Sequence, residues 1–520
     1  MGVPLDPRTP VLVGVGQASE RVDDPGYRAL PAVELGAAAA REALADAAAG
    51  VAPGAVATAI DVVAGVRQFE ISSPRASAPL GRSDNYPRSV ARRLGADPAR
   101  AVLEVTGGQA PQHLVTEFAG AIAAGECSAV LLVGSEAIST VRRLAVAADR
   151  PDFTEHVGGQ LEDRGFGLAG LAGRRQVEHG LVRPPSYYAL FENARRARLG
   201  QTRAEYARGM GELFAPFTRV AAANPHAAAP TVRSAAELVA PGPRNRMIAD
   251  PYPRYLVSRD QVNQGAAVLL TSVAVAQRLG VPRDRWVFLH GHADLQERDL
   301  LERADLGRSP AAVLAAAHAL EIAGIGVDEV TAFDLYSCFP IAVSAVADGL
   351  GLRPDDPRGL TLTGGLPFFG GAGNNYSMHA VAEAVQRVRA APGAFVFVGA
   401  NGGFLSRYSV GIYSAEPTAW RPDGSARLQA RIDSWAAPPP AERADGPATI
   451  ETHTVVFGRD GRRTGVVIAR LADGRRFLGR AAEDDVDLFD LLTTGDPVGR
   501  TVVARTSTQG RTVVSTAPGG

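Results

Sequence analysis

The stretch Leu362-Thr-Gly-Gly-Leu-Pro-Phe-Phe-Gly-Gly-Ala-Gly-Asn-Asn-Tyr376 decides the fold of this 520-residue chain. An apolar helix is predicted to follow it, from His379 to about Arg389. A strand from Ala394 to Val398 comes next and leads into a second glycine-rich turn, Gly399–Gly403. This order of turn, helix, strand and turn is typical of one β-α-β unit in a layered α/β protein.

Two asparagines, Asn374 and Asn375, stand immediately ahead of the predicted helix. Glycines at this density let the backbone approach a ligand closely and leave peptide N–H groups free to bind oxygen. A helix N-terminus also favours negative charge. The stretch therefore contains what is needed to hold an oxyanion or a phosphate, although glycine-rich turns that only close tight corners have the same composition.

A second, similar stretch lies earlier in the chain. Thr106-Gly-Gly-Gln-Ala-Pro-Gln-His113 opens a helix, and Ala129–Val133 is a strand. Aligning His113 with His379 brings three further pairs into register: Gly107 with Gly373, Gln109 with Asn375, and Glu117 with Glu383. Internal self-similarity of this kind predicts one unit used twice, with the two glycine-led helix starts brought face to face.

The similarity extends to the other predicted strands. Val11–Gly14 resembles Val287–His290, and Ile60–Val66 resembles Val330–Tyr336. These buried strands alternate with helices, which indicates a layered α/β core with a mainly parallel sheet.

The rest of the chain differs in character from these two units. Residues 140–246 consist of helical segments joined by Pro- and Arg-rich loops, and such insertions commonly shape a ligand site. After Pro438-Pro439-Pro440, short β-rich runs recur with Asp460-Gly461 and Asp473-Gly474 as hairpin turns, which predicts a small all-β domain closed as a barrel. The predicted division is 1–139 with 247–280 (first half), 140–246 (inserted loop domain), 281–415 (second half), 416–448 (linker) and 449–520 (β-rich C-terminal domain).

Composition narrows the functional classes. The net charge of −1 argues against general attraction to nucleic acid or to an anionic membrane. No lysine occurs, so neither a Schiff base nor a phosphate-loop lysine is available. The two cysteines suggest no disulfide framework and no cysteine zinc site. With neither a signal region nor a long apolar run, we expect a soluble cytoplasmic protein.

The doubled unit, the insertion, and Asp250-Pro251-Tyr252 leading to Gln264-Gly265-Ala266-Ala267 resemble the thiolase superfamily, in particular its sterol-carrier-protein branch. The resemblance covers roughly residues 8–415. The domain after the linker resembles the extra C-terminal domain of the actinobacterial thiolase-like proteins of type 1. This implies an α/β fold with a duplicated βαβαβ core in five layers, α/β/α/β/α, plus the small all-β domain.

The family's nucleophile is a cysteine at the N-terminus of the first buried helix, where the helix end lowers the thiol pKa. That position falls in Gly107-Gly108-Gln109-Ala110-Pro111, and Gln109 stands where the cysteine would be. Glutamine forms no acyl-thioester, but it donates amide hydrogens to a carbonyl oxygen.

The other motifs are also altered. The His-Asp-Cys-Phe or Asn-Glu-Ala-Phe motif matches Tyr336-Ser337-Cys338-Phe339, and Gly-His-Pro-x-Gly matches Gly370-Gly371-Ala372-Gly373. Cys-x-Gly-Gly matches Ala400-Asn401-Gly402-Gly403, so the acid/base cysteine is absent as well. Ordinary thiolysis and Claisen condensation are therefore unsupported, while glycine loops able to form oxyanion holes remain.

Three residues are candidates for catalysis: Cys338, His379 and Gln109. Cys338 is either a nucleophile or a small buried hydrophobe. His379 is either the base that would activate it or a residue that caps or packs its helix. For binding a carbonyl oxygen we single out Gly108, Tyr336, Asn374, Asn375, Asn401 and Gly402. The three asparagines and Gln109 lie at glycine turns, where polar residues also occur simply because they favour turns.

Two functions follow from the resemblance. The first is an enzyme of lipid metabolism, an acetyl-CoA acetyltransferase-like acyltransferase that acts on acyl-CoA thioesters by acyl transfer or by C–C or thioester cleavage along an altered route. The second is a non-catalytic module that binds CoA or a protein partner. Coenzyme A or acyl-CoA is the expected ligand, with no cofactor and no metal. A homodimer paired across the first-half sheet edge is implied, or a monomer if the C-terminal domain blocks that edge.

Overall fold

The computed structural model describes residues 5–48, 53–168 and 173–517. In the first half, apolar runs form buried strands and alanine-rich runs form helices. Gly125, in the left-handed conformation at φ 79°, ends the fourth helix. The elements are β1 Pro10–Ser19, α1 Ala32–Ala47, α2 Pro53–Thr58, β2 Val62–Gly65, α3 Tyr86–Arg93, β3 Arg100–Leu103, α4 Ala110–Ala124 and β4 Ala129–Ala137.

The predicted insertion is helical, and the chain then returns to the first half. Its longest helix starts at a capping box, in which Thr202 and Glu205 satisfy each other's backbone N–H groups. The elements are α5 Ile138–Leu144, β5 Glu162–Asp163, α6 Arg174–Glu178, α7 Pro184–Arg198, α8 Arg203–Ala223, α9 Ala235–Val239, β6 Met247–Ala249, β7 Tyr252–Pro253, β8 Asn263–Ser272 and α10 Val273–Arg278.

The second half repeats the first. Its elements are β9 Phe288–Gln296, α11 Pro310–Ala323, β10 Val330–Leu335, α12 Pro340–Leu350, α13 Tyr376–Ala390, β11 Phe395–Gly402 and β12 Arg407–Ser414. The first sheet has the order β1-β8-β4-β2-β3-β5, and the second has the order β9-β12-β11-β10. In both sheets the first three strands alternate in direction, and the fourth is parallel to the third. This confirms the predicted duplicated fold.

Helices α4 and α13 lie side by side between the two sheets and form the middle layer. Both are apolar on most sides: Leu114 and Phe118 of α4 and Val381 and Val385 of α13 are fully buried in one shared core. A helix that is apolar nearly all round belongs in a protein interior. Helices α1 and α11 cover the outer faces of the two sheets and complete the five layers.

The first-half sheet edge is covered by the chain itself. Strand β5 pairs with β3, with Val102 opposite Glu162 and Leu103 opposite Asp163. Arg100 and Glu162 form an ion pair at 2.7 Å across the two strands. A short, charged strand in this place leaves no long row of free backbone groups for another chain to pair with.

After β12 the chain forms a helix and then the C-terminal domain: α14 Ser425–Asp433, β13 Gly446–Phe457, β14 Arg463–Leu471, β15 Arg476–Ala481, α15 Val486–Thr494, β16 Thr501–Thr506 and β17 Thr512–Thr516. The predicted linker is therefore partly helical. The reason is that Leu428 and Ile432 of α14 are apolar at a helical spacing and bury themselves against the second half.

The C-terminal domain closes on itself as a barrel, as predicted, and five strands form it. Strand β13 pairs with both β14 and β16, β15 pairs with β14 and β17, and β17 pairs with β16, so the pairings form a ring. The sequence reading missed β15 and α15. Helix α15 starts where Asp485 accepts a hydrogen bond from the Leu488 N–H at 2.8 Å, and it buries Leu488 and Leu492 in the domain core.

A buried polar cluster fixes this domain to the rest of the chain. The Asp250 carboxylate accepts hydrogen bonds from Arg203 at 2.9 and 3.0 Å. Arg203 also donates to the Leu492 carbonyl oxygen at 2.7 Å. Asn193 of α7 donates to the carbonyl oxygens of Asp250 and His453, each at 3.0 Å.

Within the described residues, no helix combines the length and the apolar character that crossing a membrane requires.

Candidate functional site

The two glycine-led helix starts meet at the centre of the molecule. Gln109 is the residue ahead of α4, and Asn375 is the residue ahead of α13, as their alignment in the sequence predicts. The backbone N–H of Gly107 donates to Asn374 Oδ1 at 3.0 Å, and Ser377 Oγ donates to the Gly108 carbonyl oxygen at 2.6 Å. Each half thus supplies hydrogen bonds to the loop of the other.

Two of the predicted site glycines lie very close to their neighbours, and at Gly108 one of these neighbours is a backbone oxygen. A β-carbon at Gly108 would lie 2.1 Å from the hydroxyl oxygen of Tyr336 and 2.6 Å from the Asn401 carbonyl oxygen. A β-carbon at Gly402 would lie 1.6 Å from Gln109 Oε1. The structure therefore brings together Gly108, Gln109, Tyr336, Asn401 and Gly402.

The two asparagines of the quoted stretch are used by the protein itself. Asn374 Nδ2 donates to the Arg67 carbonyl oxygen at 2.6 Å and to Ser72 Oγ at 3.1 Å. Asn375 Nδ2 donates to the Gly134 carbonyl oxygen at 2.8 Å. These bonds hold first-half loops against the start of α13, so the side-chain donors of both asparagines already have acceptors.

Three buried amide oxygens at this junction have no hydrogen-bond partner among the described residues: Gln109 Oε1, Asn375 Oδ1 and Asn401 Oδ1. Each is an acceptor, whereas a carbonyl oxygen of a substrate needs donors. A half-turn of the Gln109 side-chain amide would exchange its two ends and present the NH₂ group instead. Gln109 itself is only 6% exposed, so a ligand reaches it only if the surrounding loops move.

Cys338 lies beside this junction but is not paired with a base. Its Sγ is 3.8 Å from Asn401 Nδ2, which also donates to the hydroxyl of Tyr188 at 2.7 Å. Burial raises the pKa of the Cys338 thiol to about 12. At neutral pH the residue is a thiol, and the thiolate is the nucleophilic form.

His379 belongs to a different cluster. Its Nδ1 lies 2.6 Å from Gln17 Oε1, and Gln17 Nε2 in turn donates to Glu383 at 2.9 Å. The imidazole therefore donates through Nδ1, and the buried Nε2 has no partner in the described part of the chain. Burial lowers the pKa of His379 to about 3. Within residues 5–48, 53–168 and 173–517, no hydrogen bond joins His379 to Cys338.

Position 371, where the resemblance places an activating histidine, is crowded by Ser258 and Arg259. A β-carbon on Gly371 would lie 2.4 Å from Ser258 Oγ and 3.2 Å from the Arg259 carbonyl oxygen. The segment that carries Ser258 is held there by hydrogen bonds from Ser258 N to the Cys338 carbonyl oxygen and from Gly371 N to the Arg259 carbonyl oxygen, at 3.1 and 2.8 Å. Ser258 therefore fills the space that the histidine would need.

Next to Ser258 lies a cavity of about 120 Å³ that the sequence reading missed. Its lining includes Arg233, Arg254 and Arg259, together with Ser258 and Phe368. None of the three guanidinium groups is ion-paired in the described part of the chain, and the nearby Asp260 carboxylate is taken by Arg142 at 2.7 Å. Burial, assisted by Arg254 and Arg233, lowers the pKa of Arg259. Arg233 lies in the insertion, and only folding brings it to Arg254 and Arg259. The three arginines therefore do not form a sequence motif.

One cluster of possible metal ligands occurs among the described residues: Glu104, His113 and Glu117. The Arg164 guanidinium already lies in it, 2.5 Å from Glu104 and 2.6 Å from Glu117. The Arg164 side chain therefore supplies the positive charge that these carboxylates bind.

The duplicated core and the paired helix starts define the class of this protein, the thiolase fold. A family model described as the thiolase-like protein type 1 additional C-terminal domain matches residues 427–509. None of the curated proteins compared matches the chain.

Solved structures identify the family. A monomeric SCP2-thiolase like protein type 1 (STLP1) from Mycobacterium smegmatis is 51% identical over 99% of this chain and 100% of its own, with a TM-score of 0.84. The chain belongs to the SCP2-thiolase-like protein type 1 family.

Two more distant structures share the fold. The dimeric peroxisomal thiolase of Saccharomyces cerevisiae is 15% identical over 79% of this chain and 99% of its own, with a TM-score of 0.57. The Ltp2-ChsH2(DUF35) aldolase is 19% identical over 78% of this chain and 98% of its own, with a TM-score of 0.56.

The burial of His379 predicts a loss of stability in acid. Below pH 6.5 the unfolded chain binds a proton at this residue that the folded chain does not bind until about pH 3. The free energy of unfolding therefore falls by about 1.4 kcal/mol per pH unit from this residue alone as the pH drops below 6.5. In His379→Gln, the difference between pH 7.5 and pH 5.5 in urea unfolding should shrink by about 1.4 kcal/mol.

The matched control is His156→Gln, since the His156 side chain is 83% exposed. This variant should keep the acid sensitivity of the original chain. An unchanged pH difference in His379→Gln would contradict the assignment of a buried, uncharged imidazole.

Proposed function

We propose that this protein binds coenzyme A or an acyl-CoA thioester at the arginine-lined cavity and does not carry out the ordinary thiolase reaction. The observation that carries the proposal is the cluster of Arg233, Arg254 and Arg259 beside Ser258. Arginine stays charged in proteins and its planar fork matches phosphate geometry. A bound phosphate would relieve the mutual repulsion of the three guanidinium groups.

The cavity adjoins the junction of the two helix starts. Ser258 is hydrogen-bonded to the backbone of Cys338, and Arg259 N donates to the Leu366 carbonyl oxygen at 3.1 Å, within the quoted glycine-rich stretch. A ligand with phosphate at one end and a thioester at the other would therefore extend from the arginines toward Phe368 and the glycine loops.

Three features support binding without ordinary thiolysis. Gln109 stands at the position of the nucleophile, and Ala400 at that of the acid/base cysteine. Ser258 fills the place of the activating histidine at position 371. The Cys338 thiol, which lies in the second motif, has a pKa raised to about 12 by burial and forms no hydrogen bond to a histidine or carboxylate among the described residues.

Acyl transfer by an altered route is the second candidate. It is favoured by the convergence of Gln109, Tyr336 and Asn401 around Gly108, where a rotated Gln109 amide would donate to a thioester carbonyl. In this reading Cys338 would become the nucleophile only after a ligand changes its surroundings.

Titration calorimetry with CoA and acetyl-CoA tests the binding proposal. We expect a Kd tighter than roughly 100 μM, which is about −5.5 kcal/mol. The double variant Arg233→Ala, Arg254→Ala should weaken binding at least about tenfold, because each lost bond to a charged group costs about 1.5–3 kcal/mol.

Arg219→Ala, which removes an exposed arginine of α8, is the control and should bind as the original chain does. Absence of both heat and thermal shift with either ligand in the original chain would overturn the proposal. The hypothesis that the fold serves to bind a protein partner would then remain.

Thiol labelling separates the two candidates. Since burial raises the pKa of both Cys338 and Cys127 to about 12, iodoacetamide at pH 8 should label both slowly, with or without acyl-CoA. Peptide mass spectrometry reads the rate at each site. Faster labelling of Cys338 than of Cys127, suppressed by acyl-CoA, would instead support acyl transfer.

We propose further that the protein is a monomer. Strand β5 of the insertion covers the β3 edge, which the family resemblance assigns to dimer formation. The cover is held by ion pairs between Arg100 and Glu162 and between Arg67 and Asp163. The 51% identical relative is described as monomeric, whereas the yeast thiolase is described as dimeric. In this proposal the insertion, and not the C-terminal domain, prevents dimer formation at the β3 edge.

Light scattering after size-exclusion chromatography should give a mass near 54.2 kDa. The value should hold across protein concentrations, because β5 covers the β3 edge of the first-half sheet. A species of twice that mass would show that β5 does not prevent association.

A further inference from the structure

A second, larger cleft lies between the inserted loop domain and the C-terminal domain, with a volume of about 950 Å³. One wall is the insertion from Val177 to Ser186. The other wall is the hairpin that joins β13 and β14, with Phe457 and Arg459, and Arg246 and Ile248 line the space between them. No motif in the sequence indicates this cleft, because its walls come from parts of the chain far apart.

The cleft carries an excess of positive charge. Its lining contains five arginines and three carboxylates: Arg142, Arg183, Arg246, Arg459 and Arg480, with Glu178, Asp260 and Asp460. The carboxylates are already paired, with Arg174, Arg142 and Arg462. Arg480 is paired with Glu483. Arg246 donates to backbone carbonyls of Met247 and Phe457.

Arg183 and Arg459 remain, one on each wall. Neither has an ion pair or a side-chain hydrogen bond within the described part of the chain, and both are exposed to the cleft. Two cations that face the same open space without a counter-charge favour an anionic ligand there.

The cleft is continuous with the arginine-lined cavity. Ile248, Asp260 and Gln261 line both spaces. The cavity alone, at about 120 Å³, is too small for a nucleotide, whereas about 950 Å³ lies within the range of sites that bury a whole small-molecule ligand. The groove formed by the two together has room for both ends of a long, asymmetric ligand.

The cleft also offers apolar surface. Val182 and Val177 are 65% and 46% exposed, and Phe457 of the opposite wall is partly exposed. A planar heterocyclic base packs well on exposed aliphatic and aromatic groups of this kind. Phosphate beside Arg183 and Arg459, with a base on these apolar groups, is the recognition pattern of a nucleotide.

We infer that the C-terminal domain forms the second wall of the ligand site, with Arg183 and Arg459 holding the phosphorylated nucleotide end of a CoA-type ligand. This rests on the proposed function, since the diphosphate of the same ligand lies at the arginines of the cavity beside Ser258 and its thioester end extends from there toward Phe368 and the glycine loops. The domain is suited to this task because hydrogen bonds from Arg203 to the Leu492 carbonyl oxygen and from Asn193 to the His453 carbonyl oxygen hold it against the core.

The experiment compares CoA with pantetheine, which lacks the nucleotide, by titration calorimetry on the full chain. The variants are Arg183→Ala with Arg459→Ala, and, as a matched control, Arg505→Ala, which removes an exposed arginine of the same domain outside the cleft. The first variant should weaken CoA binding at least tenfold and leave pantetheine binding unchanged. The control should bind both as the original chain does, and thermal unfolding checks that each variant is folded.

Two results would overturn the inference, and they are distinguishable. If the Arg183 and Arg459 variant binds CoA within twofold of the original chain while the Arg233 and Arg254 variant does not, the nucleotide lies outside the cleft and the proposed function stands. If the original chain binds neither CoA nor pantetheine, the proposed function fails and the inference fails with it.

Discussion

The close approach of two helix starts at the centre of the molecule is the constraint on which the rest of the structure depends. Helices α4 and α13 begin where backbone from both halves comes within hydrogen-bonding distance, and Gly108 has no space for a β-carbon beneath Tyr336. Asn374 and Ser377 form hydrogen bonds to Gly107 and Gly108, and these bonds join the two halves. A side chain larger than hydrogen at Gly108 would push apart the layers that these helices join.

The same closeness explains how the site differs from that of an ordinary thiolase. Gln109 extends over Gly402, and Ser258 occupies the space in front of Gly371. Between them lies Cys338, whose thiol is buried and has its pKa raised to about 12. The fold is preserved because its stability comes from backbone proximity and apolar burial, which do not require the catalytic residues.

The C-terminal domain and the insertion act together on the opposite side of Ser258. Arg203 and Asn193 donate hydrogen bonds to the carbonyl oxygens of Leu492 and His453, and these bonds join the C-terminal domain to the rest of the chain. With the domain held there, the β13–β14 hairpin lies against the insertion and the basic cleft is enclosed between them. Arg183 and Arg459 line this cleft from its two walls.

The sequence by itself determined the duplicated core. Hydrophobic periodicity and glycine-led helix starts are local signals, and the alignment of Gln109 with Asn375 correctly predicted equivalent positions ahead of α4 and α13. The tertiary structure alone decided which side chains face each other. His379 contacts Gln17 and not Cys338, and Arg233 reaches Arg254 and Arg259 only because the insertion folds back. Contacts between residues far apart in the chain leave no periodic trace in it, because each is set by how whole elements pack.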